Sequence, residues 1–341
     1  MGKNFPQIKN LREKPSCFEA TLKLIEESFT YKHPHSFQTD FAPLVDESNH
    51  ENCFILIDEN DAVLAHVGVK ERKIQIENEI FTVMMLGGIA VDKGHRGQGH
   101  FQTLFQDVLA EKRSDASLFL LWSDQESLYT KFGFHLCGEQ FELSQKKHAN
   151  EFNLTTYAQL TSSQKEDVKH LYNNSFKKIY LSTERDATDW KLLEKITSSE
   201  FYYRSEADKI TEYFFKGKGQ DLGGIIHEYG TNQDISSHLE AIRNYGKVWM
   251  GARFIETESL HYQFMLAPAD TRNFCRFIKL YTNGLIELRD LNLIKQEAYF
   301  DFNQETLALT IEEFLRGIFG PAPFEELGDM KPIFFSGLDS I

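Results

Sequence analysis

The sequence predicts an α/β fold of the mixed (α+β) kind, with mixed central sheets flanked by helices, and three observations support this. Residues 81–91 form an apolar, strand-like run that leads through a glycine-containing basic turn into an amphipathic helix. A related Gly-Gly strand pattern returns in the second half of the chain. The residues from 269 onward again contain short strand and helix patterns. Together these patterns indicate two α/β units followed by a smaller third one.

The composition is that of a globular protein with room for two or three domains, since 41% of the 341 residues are hydrophobic. No apolar run approaches the roughly 20 residues that cross a bilayer, and the N-terminal residues lack an apolar signal core. We therefore expect a cytoplasmic protein that does not bind a membrane. The net charge of −14 argues against nucleic acid as a partner, and it either suits a cationic partner or serves solubility.

The four cysteines predict neither a metal site nor a disulfide framework. They are far apart in the sequence, no two have C-x-x-C spacing, and each lies in or beside an apolar segment. Buried free thiols are the expected state of Cys17, Cys53, Cys137 and Cys275. We therefore predict no metal cofactor.

Hydrophobic periodicity predicts the elements of the first unit in order. Apolar residues have helical spacing over 17–29, and an irregular segment with two prolines follows up to residue 50. Strands are then predicted over residues 54–57, 63–69, 73–76 and 81–91. The remaining predicted elements are a helix over 101–110, a strand over 118–122, a short helix carrying Tyr129 and closing strands near 134–143. The unit is predicted to end near Lys147.

The turn after the fourth predicted strand has the composition of an anion-binding loop. Gly97 and Gly99 let the backbone curl so that several N–H groups point at one spot, where the next helix presents its unpaired donors and positive dipole end. A diphosphate fits such a place. Glycine-rich turns before helices also occur as plain loops, so this turn alone leaves both interpretations open.

A second motif lies about thirty residues further along the chain, where the strand over 118–122 is followed by Ser123, Asp124 and then Leu-Tyr-Thr-Lys-Phe-Gly-Phe. Together with Arg-Gly-Gln-Gly at residues 96–99, it resembles the acetyl-CoA motif and following motif of the GNAT acyltransferases. Within that superfamily the chain is most similar to the enhanced intracellular survival (Eis) type. Phe101 stands where the GNAT turn commonly has Gly or Ala, and Eis-type proteins also accept a bulky apolar residue there.

The resemblance implies acetyl-CoA as co-substrate and implies which residues hold it. The strand Ile89, Ala90, Val91 would pair with the pantetheine amides, and one of its N–H groups would stabilise the oxyanion. Ser123 and Asp124 would flank the cofactor at the end of the next strand. The diphosphate would be bound by the turn and the start of the helix, that is by Arg96, Gly97, Gln98, Gly99, His100, Phe101 and Gln102.

The same resemblance assigns Tyr129 as the general acid that protonates the leaving thiolate. Without the flanking motif, Tyr129 would be interpreted as a packing aromatic. The general base is not provided by the strand before the turn, because residues 83–86 contain no carboxylate. Eis-type enzymes use the C-terminal carboxylate of the chain, which implies Ile341 here, and the alternative is that the apolar end of the chain merely packs on a neighbour. His33, His35 and His66 are further candidates for the base, although histidines without metal-ligand spacing are more often surface residues.

The second half repeats one short motif of the first. Leu-Gly-Gly-Ile at 222–225, followed by Gly230, has the spacing of Leu-Gly-Gly-Ile at 86–89 followed by Gly94. The turn after the second copy has no glycine pair and no arginine, but it has Asp234, which would repel phosphate. We expect a GNAT acetyl-CoA-binding catalytic domain over 1–149 and a degenerate second GNAT-like domain over 150–268 that does not bind CoA, hence tandem GNAT folds. Chance similarity of a short Gly-Gly strand is the alternative.

Residues 269–341 are predicted to form a short C-terminal domain. Strands are expected near 285–288 and 298–302, and a helix is expected near 311–319. The passage FLRGIFGPAPFEEL at 314–327 resembles part of the sterol-carrier-like tail domain of Eis-type proteins, although the segment is shorter than that domain.

The function that these patterns favour is acetyl-CoA-dependent N-acetyl transfer to a primary amine by direct attack in a ternary complex. The acceptor is expected to be cationic, and a lysine side chain, a polyamine and an aminoglycoside all remain open. Transfer of a longer acyl group is a second enzymatic interpretation. A non-catalytic CoA-sensing or scaffold protein is the alternative from another class, and Tyr129 argues against it because a pure binder needs no proton donor. Homo-oligomers are common in the family, but no stoichiometry is predicted.

Overall fold

The computed structural model describes residues 6–146, 152–252, 259–328 and 330–341. The predicted end of the first unit near Lys147 and the domain boundary at 149/150 lie outside these residues. The first part of the chain forms a strand, three helices, three strands, and then alternating helices and strands. Its elements are β1 Gln7–Asn10, α1 Phe18–Ser28, α2 Phe37–Asp40, α3 Ala42–Val45, β2 Cys53–Ile57, β3 Val63–Ile76, β4 Glu79–Val91, α4 His100–Lys112, β5 Leu118–Leu121, α5 Glu126–Tyr129 and β6 His135–Leu143.

The rest of the chain forms a second α/β unit and a small third one. The second contains β7 Asn153–Thr155, α6 Ser162–Leu171, α7 Lys177–Ile179, α8 Ala187–Leu193, β8 Glu200–Glu206, β9 Lys209–Lys216, β10 Ile225–Thr231, α9 Ile235–Ile242, β11 Lys247–Met250 and β12 Ser259–Pro268. The third contains α10 Thr271–Tyr281, β13 Ile286–Asn292, β14 Glu297–Phe302, β15 Glu305–Thr310 and α11 Ile311–Phe319. None of the helices in the described part of the chain has the length and hydrophobicity that crossing a bilayer requires.

Twelve of the described strands form one mixed sheet in the order β1-β2-β3-β4-β5-β12-β6-β11-β10-β9-β8-β7, and β13, β14 and β15 form a separate antiparallel sheet. The predicted mixed α/β fold with central sheets flanked by helices is confirmed. Strand β12 lies between β5 and β6, while β6 pairs with β11 of the second unit. The two units therefore exchange their last strands, and a single continuous sheet runs through both.

Two parallel strand pairs, β4 with β5 and β10 with β11, stand at corresponding places in the two units. Strand β4 pairs with β5 only over Val83–Met85, and β10 pairs with β11 only at Ile225 and Ile226. Beyond these short contacts both pairs diverge and leave a cleft. In each unit an antiparallel strand pair precedes the first strand of the cleft, and a helix follows it.

The Leu-Gly-Gly-Ile motif does not occupy equivalent places in the two units. In the first unit it lies within β4, just beyond the part that pairs with β5. In the second unit Leu222 to Gly224 form a turn before β10 begins. The repetition therefore lies in the order of strands and helices, and the short motif itself fits chance similarity. The domain limits and the sterol-carrier-like character of the third unit stay predictions.

Candidate active site

A cavity of about 670 Å³ lies where β4 and β5 diverge. Its wall is formed by β4, the loop after β5, helix α5, the loop before β10 and the C-terminal residues of the chain. The predicted site residues that line it are Ile89, Ser123, Asp124, Tyr129 and Ile341. The structure therefore brings the predicted general acid and the predicted general base to one cavity, although they are more than two hundred residues apart in the sequence.

The cavity wall on β4 contains a β-bulge. The register between β3 and β4 shifts between His66 and Gly68, and Gly88 has a positive φ of 59°. The Nδ1 of His66 donates a hydrogen bond of 2.7 Å to the Gly88 carbonyl oxygen. His66 is fully buried, and burial lowers its pKa to about 4. His66 is therefore a neutral residue that holds the bulge, and it is neither on the surface nor suited to act as a base.

The bulge and the divergence of the strands leave part of the β4 backbone free to bind a ligand. Pairing with β5 ends at Met85, so none of the described strands lies beside the β5-facing edge of β4 from Leu86 onward. Ile89 lies in the bulge and lines the cavity, whereas Ala90 and Val91 lie further along the strand and do not. An extended ligand can hydrogen-bond to such an open strand edge.

The glycine-containing turn stands at the N-terminus of α4. Gly97 has a φ of 76°, and Gly99, the N-cap residue, has a φ of 84°. Because a glycine N-cap has no side chain, the first N–H groups of α4 have no side-chain cap. Among the residues that the structure describes, no neighbouring atom lies within 4 Å of the positions where Cβ atoms would stand at Gly97 and Gly99. The seven predicted diphosphate-binding residues form the turn before α4 and the first three residues of that helix. They are exposed or half-buried and do not line the cavity, and they are Arg96, Gly97, Gln98, Gly99, His100, Phe101 and Gln102.

Tyr129 ends the short helix α5, and its side chain is 6% exposed. Its ring meets Phe101 edge-on at 5.8 Å and also contacts Phe105. Burial raises the pKa of Tyr129 to about 12, with a further contribution from Asp124, while a hydrogen bond to Ser123 acts in the opposite direction. Tyr129 therefore packs in an aromatic cluster and is protonated at neutral pH at the cavity wall.

The C-terminal residue lies against β4. Ile341 is 8% exposed, and a Cβ atom on Gly87 would stand 2.6 Å from the carboxyl carbon and from an oxygen of Ile341. Gly87 therefore provides the space in which the carboxyl terminus lies. Phe334 and Leu338, upstream in the tail, are buried in the core of the second unit. Both predicted roles of the tail, packing and delivery of the carboxylate to the site, are compatible with this arrangement.

Buried charges that the sequence analysis did not single out hold the tail in place. Asp339 is fully buried and accepts hydrogen bonds from Arg185 Nη2 at 2.8 Å and Nε at 3.1 Å. Arg72 Nη2 donates to the Asp339 carbonyl oxygen at 3.2 Å. Burial acts to raise the pKa of Asp339, but Arg185 and Arg72 outweigh it and hold the pKa below its usual value.

Lys218 is a further buried cation that holds the tail, and it also lines the cavity. Its Nζ donates to the carbonyl oxygens of Gly337 at 2.8 Å and Ser340 at 2.6 Å. It also lies 4.2 Å from the centre of the Phe41 ring. Burial lowers the pKa of Lys218 to about 7. No periodicity or motif marks these residues, and only the fold brings them together.

The far side of the cavity combines aromatic and acidic side chains. Phe37 and Phe41, which the sequence left open as a rim or a core contact, are both buried and line the cavity. The side-chain carboxylates that line the cavity are Asp124 and Asp221. His33 and His35 do not line it. The surroundings are therefore apolar with an excess of negative charge, which favours a cationic ligand.

Comparison with known proteins assigns the first unit. Residues 8–137 match the family described as Acetyltransferase (GNAT) domain, so this part of the chain is similar to a GNAT acetyltransferase domain. A comparison with curated protein sequences yielded no match.

Solved structures with the same fold cover nearly the whole chain. A probable N-acyltransferase from Enterococcus faecalis is 12% identical with a TM-score of 0.57, over 90% of this chain and 86% of that one. A GCN5-related N-acetyltransferase from Anabaena variabilis is 14% identical with a TM-score of 0.56, over 89% and 85%. Eis1 from Mycobacterium abscessus is 12% identical with a TM-score of 0.56, over 89% and 84%. Identities this low show a shared fold and leave the Eis type a prediction.

Proposed function

We propose that this chain, with its GNAT acetyltransferase domain, is an acetyl-CoA-dependent N-acyltransferase that transfers an acetyl group to a cationic primary amine. The observation that carries the proposal is the placement of Tyr129 and the Ile341 carboxylate in one cavity at the divergence of β4 and β5. Acyl transfer needs a bound thioester, a deprotonated amine, a stabilised oxyanion and a protonated leaving group. The site offers a group for each.

The cofactor is proposed to lie along the open edge of β4 and across the start of α4. The uncapped N–H groups of the first helical turn and the positive end of the helix dipole suit a diphosphate, and Arg96 adds positive charge. The free edge beyond Leu86 suits the amides of the pantetheine arm, and the bulged backbone at Ile89 offers an N–H group for the oxyanion. Ser123 and Asp124 would then flank the cofactor from the end of β5.

The proposed reaction is a direct attack on the thioester. An alkylamine has a pKa of about 10.4 and arrives as an ammonium ion. The Ile341 carboxylate attracts this ion and accepts one of its protons, and the neutral amine then attacks the carbonyl carbon through its lone pair. The tetrahedral oxyanion is stabilised by the backbone N–H of β4. When the C–S bond breaks, the phenol of Tyr129 donates its proton to the sulfur, and the raised pKa keeps that proton in place until then. The second proton that the nitrogen loses as the amide forms returns to the Tyr129 oxygen and restores the phenol.

The acceptor is proposed to carry positive charge because the carboxylates of Asp124, Asp221 and Ile341 outnumber the Lys218 ammonium at the cavity wall. Burial lowers the pKa of Lys218 and raises the pKa of Asp221, so it weakens charges of both signs. Aromatic side chains such as Phe37 and Phe41 would pack on an apolar part of the acceptor. A lysine side chain, a polyamine and an aminoglycoside all have this chemistry. The acyl group would lie near Leu86, and this part of the wall decides the acyl chain length.

The experiment that tests the proposal is a thiol-release assay with acetyl-CoA against lysine peptides, polyamines and aminoglycosides. Wild type is compared with Tyr129→Phe and with a form whose C-terminal carboxylate is converted to an amide. Tyr262→Phe is the matched control, because Tyr262 is 38% exposed on β12, outside the cavity lining. We expect both site variants to lose about 10²-fold or more in kcat, since a positioned acid or base contributes roughly 10²–10⁴-fold.

The results separate four cases. Loss of turnover in both site variants with an unchanged control supports the proposed roles. Loss in Tyr129→Phe alone moves the base away from Ile341. Tight CoA binding without thiol release for any acceptor contradicts the enzyme and favours the CoA-sensing alternative, and turnover with longer acyl-CoA thioesters alone changes the donor.

A further inference from the structure

We propose that the C-terminal tail, residues 332–341, is a built-in ligand of the cleft between β10 and β11, and that Arg185 acts through Asp339 as the positioning residue for the Ile341 carboxylate. The second unit would then serve catalysis by holding the tail in the cleft between β10 and β11. The equivalent cleft of the first unit, between β4 and β5, would hold the cofactor. The positioning part of this inference rests on the proposed function, whereas the docking part does not.

The second cleft has the geometry of the first. Strand β10 separates from β11 after Ile226, as β4 separates from β5 after Met85. The residues of β10 that face this divergence begin with His227 and Glu228, while on the other side β11 ends at Met250 and Gly251 follows. The turn after β10 carries Asp234 at the N-cap of α9, whose side chain already accepts the Ser237 N–H. That helix start is therefore closed to a phosphate.

The tail fills this second cleft and contacts both of its sides. Phe334 packs so closely on Gly251 that a Cβ atom there would stand 2.6 Å from the Phe334 Cβ. Gly337 packs against β10, and a Cβ atom on Gly337 would stand 2.7 Å from Cγ of His227. The start of the tail is held by backbone hydrogen bonds with Leu181, whose N–H donates to Pro332 and whose carbonyl accepts from Phe334.

A buried charge cluster fixes the polar part of the tail. Arg185 bridges Asp339 of the tail and Glu228 of β10, and the side chains of all three are fully buried. The guanidinium also lies 4.2 Å from the Tyr172 ring and donates to Ser336 Oγ at 3.1 Å. Since unpaired buried charges are strongly unfavourable, Asp339 has one favourable place, and that place is beside Arg185.

The position of Asp339 determines the position of the carboxylate. Only Ser340 separates Asp339 from Ile341, and its carbonyl oxygen is held by Lys218 at 2.6 Å. The Asp339 carbonyl oxygen is held from the other side by Arg72, which lies on β3 of the first unit. The chain end therefore runs from the second cleft to the first, where it meets Gly87.

The test uses the full-length protein with Asp339→Asn, which keeps the side-chain volume and leaves Arg185 paired with Glu228 and Arg72 paired with Asp189. Glu212→Gln is the matched control, because Glu212 is a buried carboxylate of the second unit that pairs with His238 and Arg204 and is outside the tail contacts. Ser336→Ala is a milder second variant, which removes one neutral acceptor of Arg185 and keeps the test usable if Asp339→Asn does not fold. Docking is measured as the rate at which a carboxypeptidase releases Ile341, followed by mass spectrometry. Positioning is measured by kcat, KM for acetyl-CoA and the pH profile of kcat.

We expect Asp339→Asn to release Ile341 on the order of tenfold faster or more than wild type and Glu212→Gln, because release requires local opening of the tail. We also expect kcat to fall and its pH profile to change while KM for acetyl-CoA stays the same. Release as slow as in wild type for both tail variants overturns the docking. If the C-terminal amide loses turnover but Asp339→Asn keeps it despite faster release, the positioning role fails and the proposed function stands. If the amide itself keeps turnover, the carboxylate base of the proposed function fails, while faster release still supports the docking.

Discussion

Gly87→Ala is expected to impair the reaction by displacing the C-terminal carboxylate. The φ of Gly87 is not positive, so alanine fits the backbone, and the added methyl group would stand 2.6 Å from the carboxyl carbon of Ile341. Ordinary contact begins at about 3.4 Å, so the chain end must move by about 0.8 Å. A misplacement of roughly 1 Å in a catalytic group costs about 10²-fold in rate, which is the loss of kcat that we expect. The accompanying loss of stability should stay within about 1–3 kcal/mol, as for other overpacked sites.

The assay measures kcat for the preferred amine, the Kd of CoA by calorimetry and the Tm. Gly223→Ala is the matched control, since it makes the same chemical change at a place where no neighbouring atom of the described part of the chain lies within 4 Å of the added methyl. We expect Gly87→Ala to bind CoA with nearly normal affinity, because the turn at α4 is untouched and the added methyl group removes no N–H or carbonyl group from the open edge of β4. A kcat within about twofold of wild type, in a folded variant, would refute the placement of the carboxylate in the reaction.

Three further outcomes follow from the same contacts. Gly99→Val should raise the Kd of CoA in calorimetry, because a β-branched residue at a φ of 84° costs roughly 1–2 kcal/mol and distorts the turn; unchanged affinity would remove the turn from the cofactor site. Lys218→Met should lower both Tm and kcat, since it leaves the Gly337 and Ser340 carbonyl oxygens without their donor, and wild-type values for both would contradict a role of Lys218 in holding the tail. The free energy of unfolding should fall as the pH is lowered from about 6.5 to about 4. His66 and His227 are buried as neutral imidazoles, and burial lowers the pKa of each to about 4. In this pH range the unfolded chain therefore binds protons that the folded chain excludes. In denaturant titrations at several pH values, His66→Asn should show a shallower dependence than wild type, and an equal slope would contradict the low pKa of His66.

Much of the first unit could be predicted because each of its strands and helices has a local pattern. The apolar spacing after the glycine turn predicted a helix at 101–110, and α4 covers His100–Lys112. The same reasoning split β3 into two strands, because the charged residues Lys70, Glu71 and Arg72 interrupt its apolar pattern. In the fold Arg72 is buried and paired, which only the partners Asp189 and Asp339 explain.

Strand β12 illustrates what local patterns cannot predict. Its residues 259–268 are the last strand of the second unit in sequence, yet they pair with β5 and β6 of the first. The exchange depends on contacts between segments more than a hundred residues apart, and periodicity reports which face of a strand is buried but not which strand lies beside it. The repeated Leu-Gly-Gly-Ile motif predicted a second α/β unit. The structure does not support that reason, since the two copies of the motif occupy different places.

In the candidate site, too, residues of a local motif could be predicted from the sequence, whereas residues that only the fold brings together could not. Ile89, Ser123, Asp124 and Tyr129 belong to one local segment with a motif, and they line one cavity. Arg185 and Glu228 have no motif, because their role depends on where the chain end lies. A buried cluster of this kind adds little net stability, but it makes any other position of its members costly. Selection for one position of the chain end is therefore a physical reason for Asp339 to be charged and buried, and a tail that merely packed would need only its apolar residues.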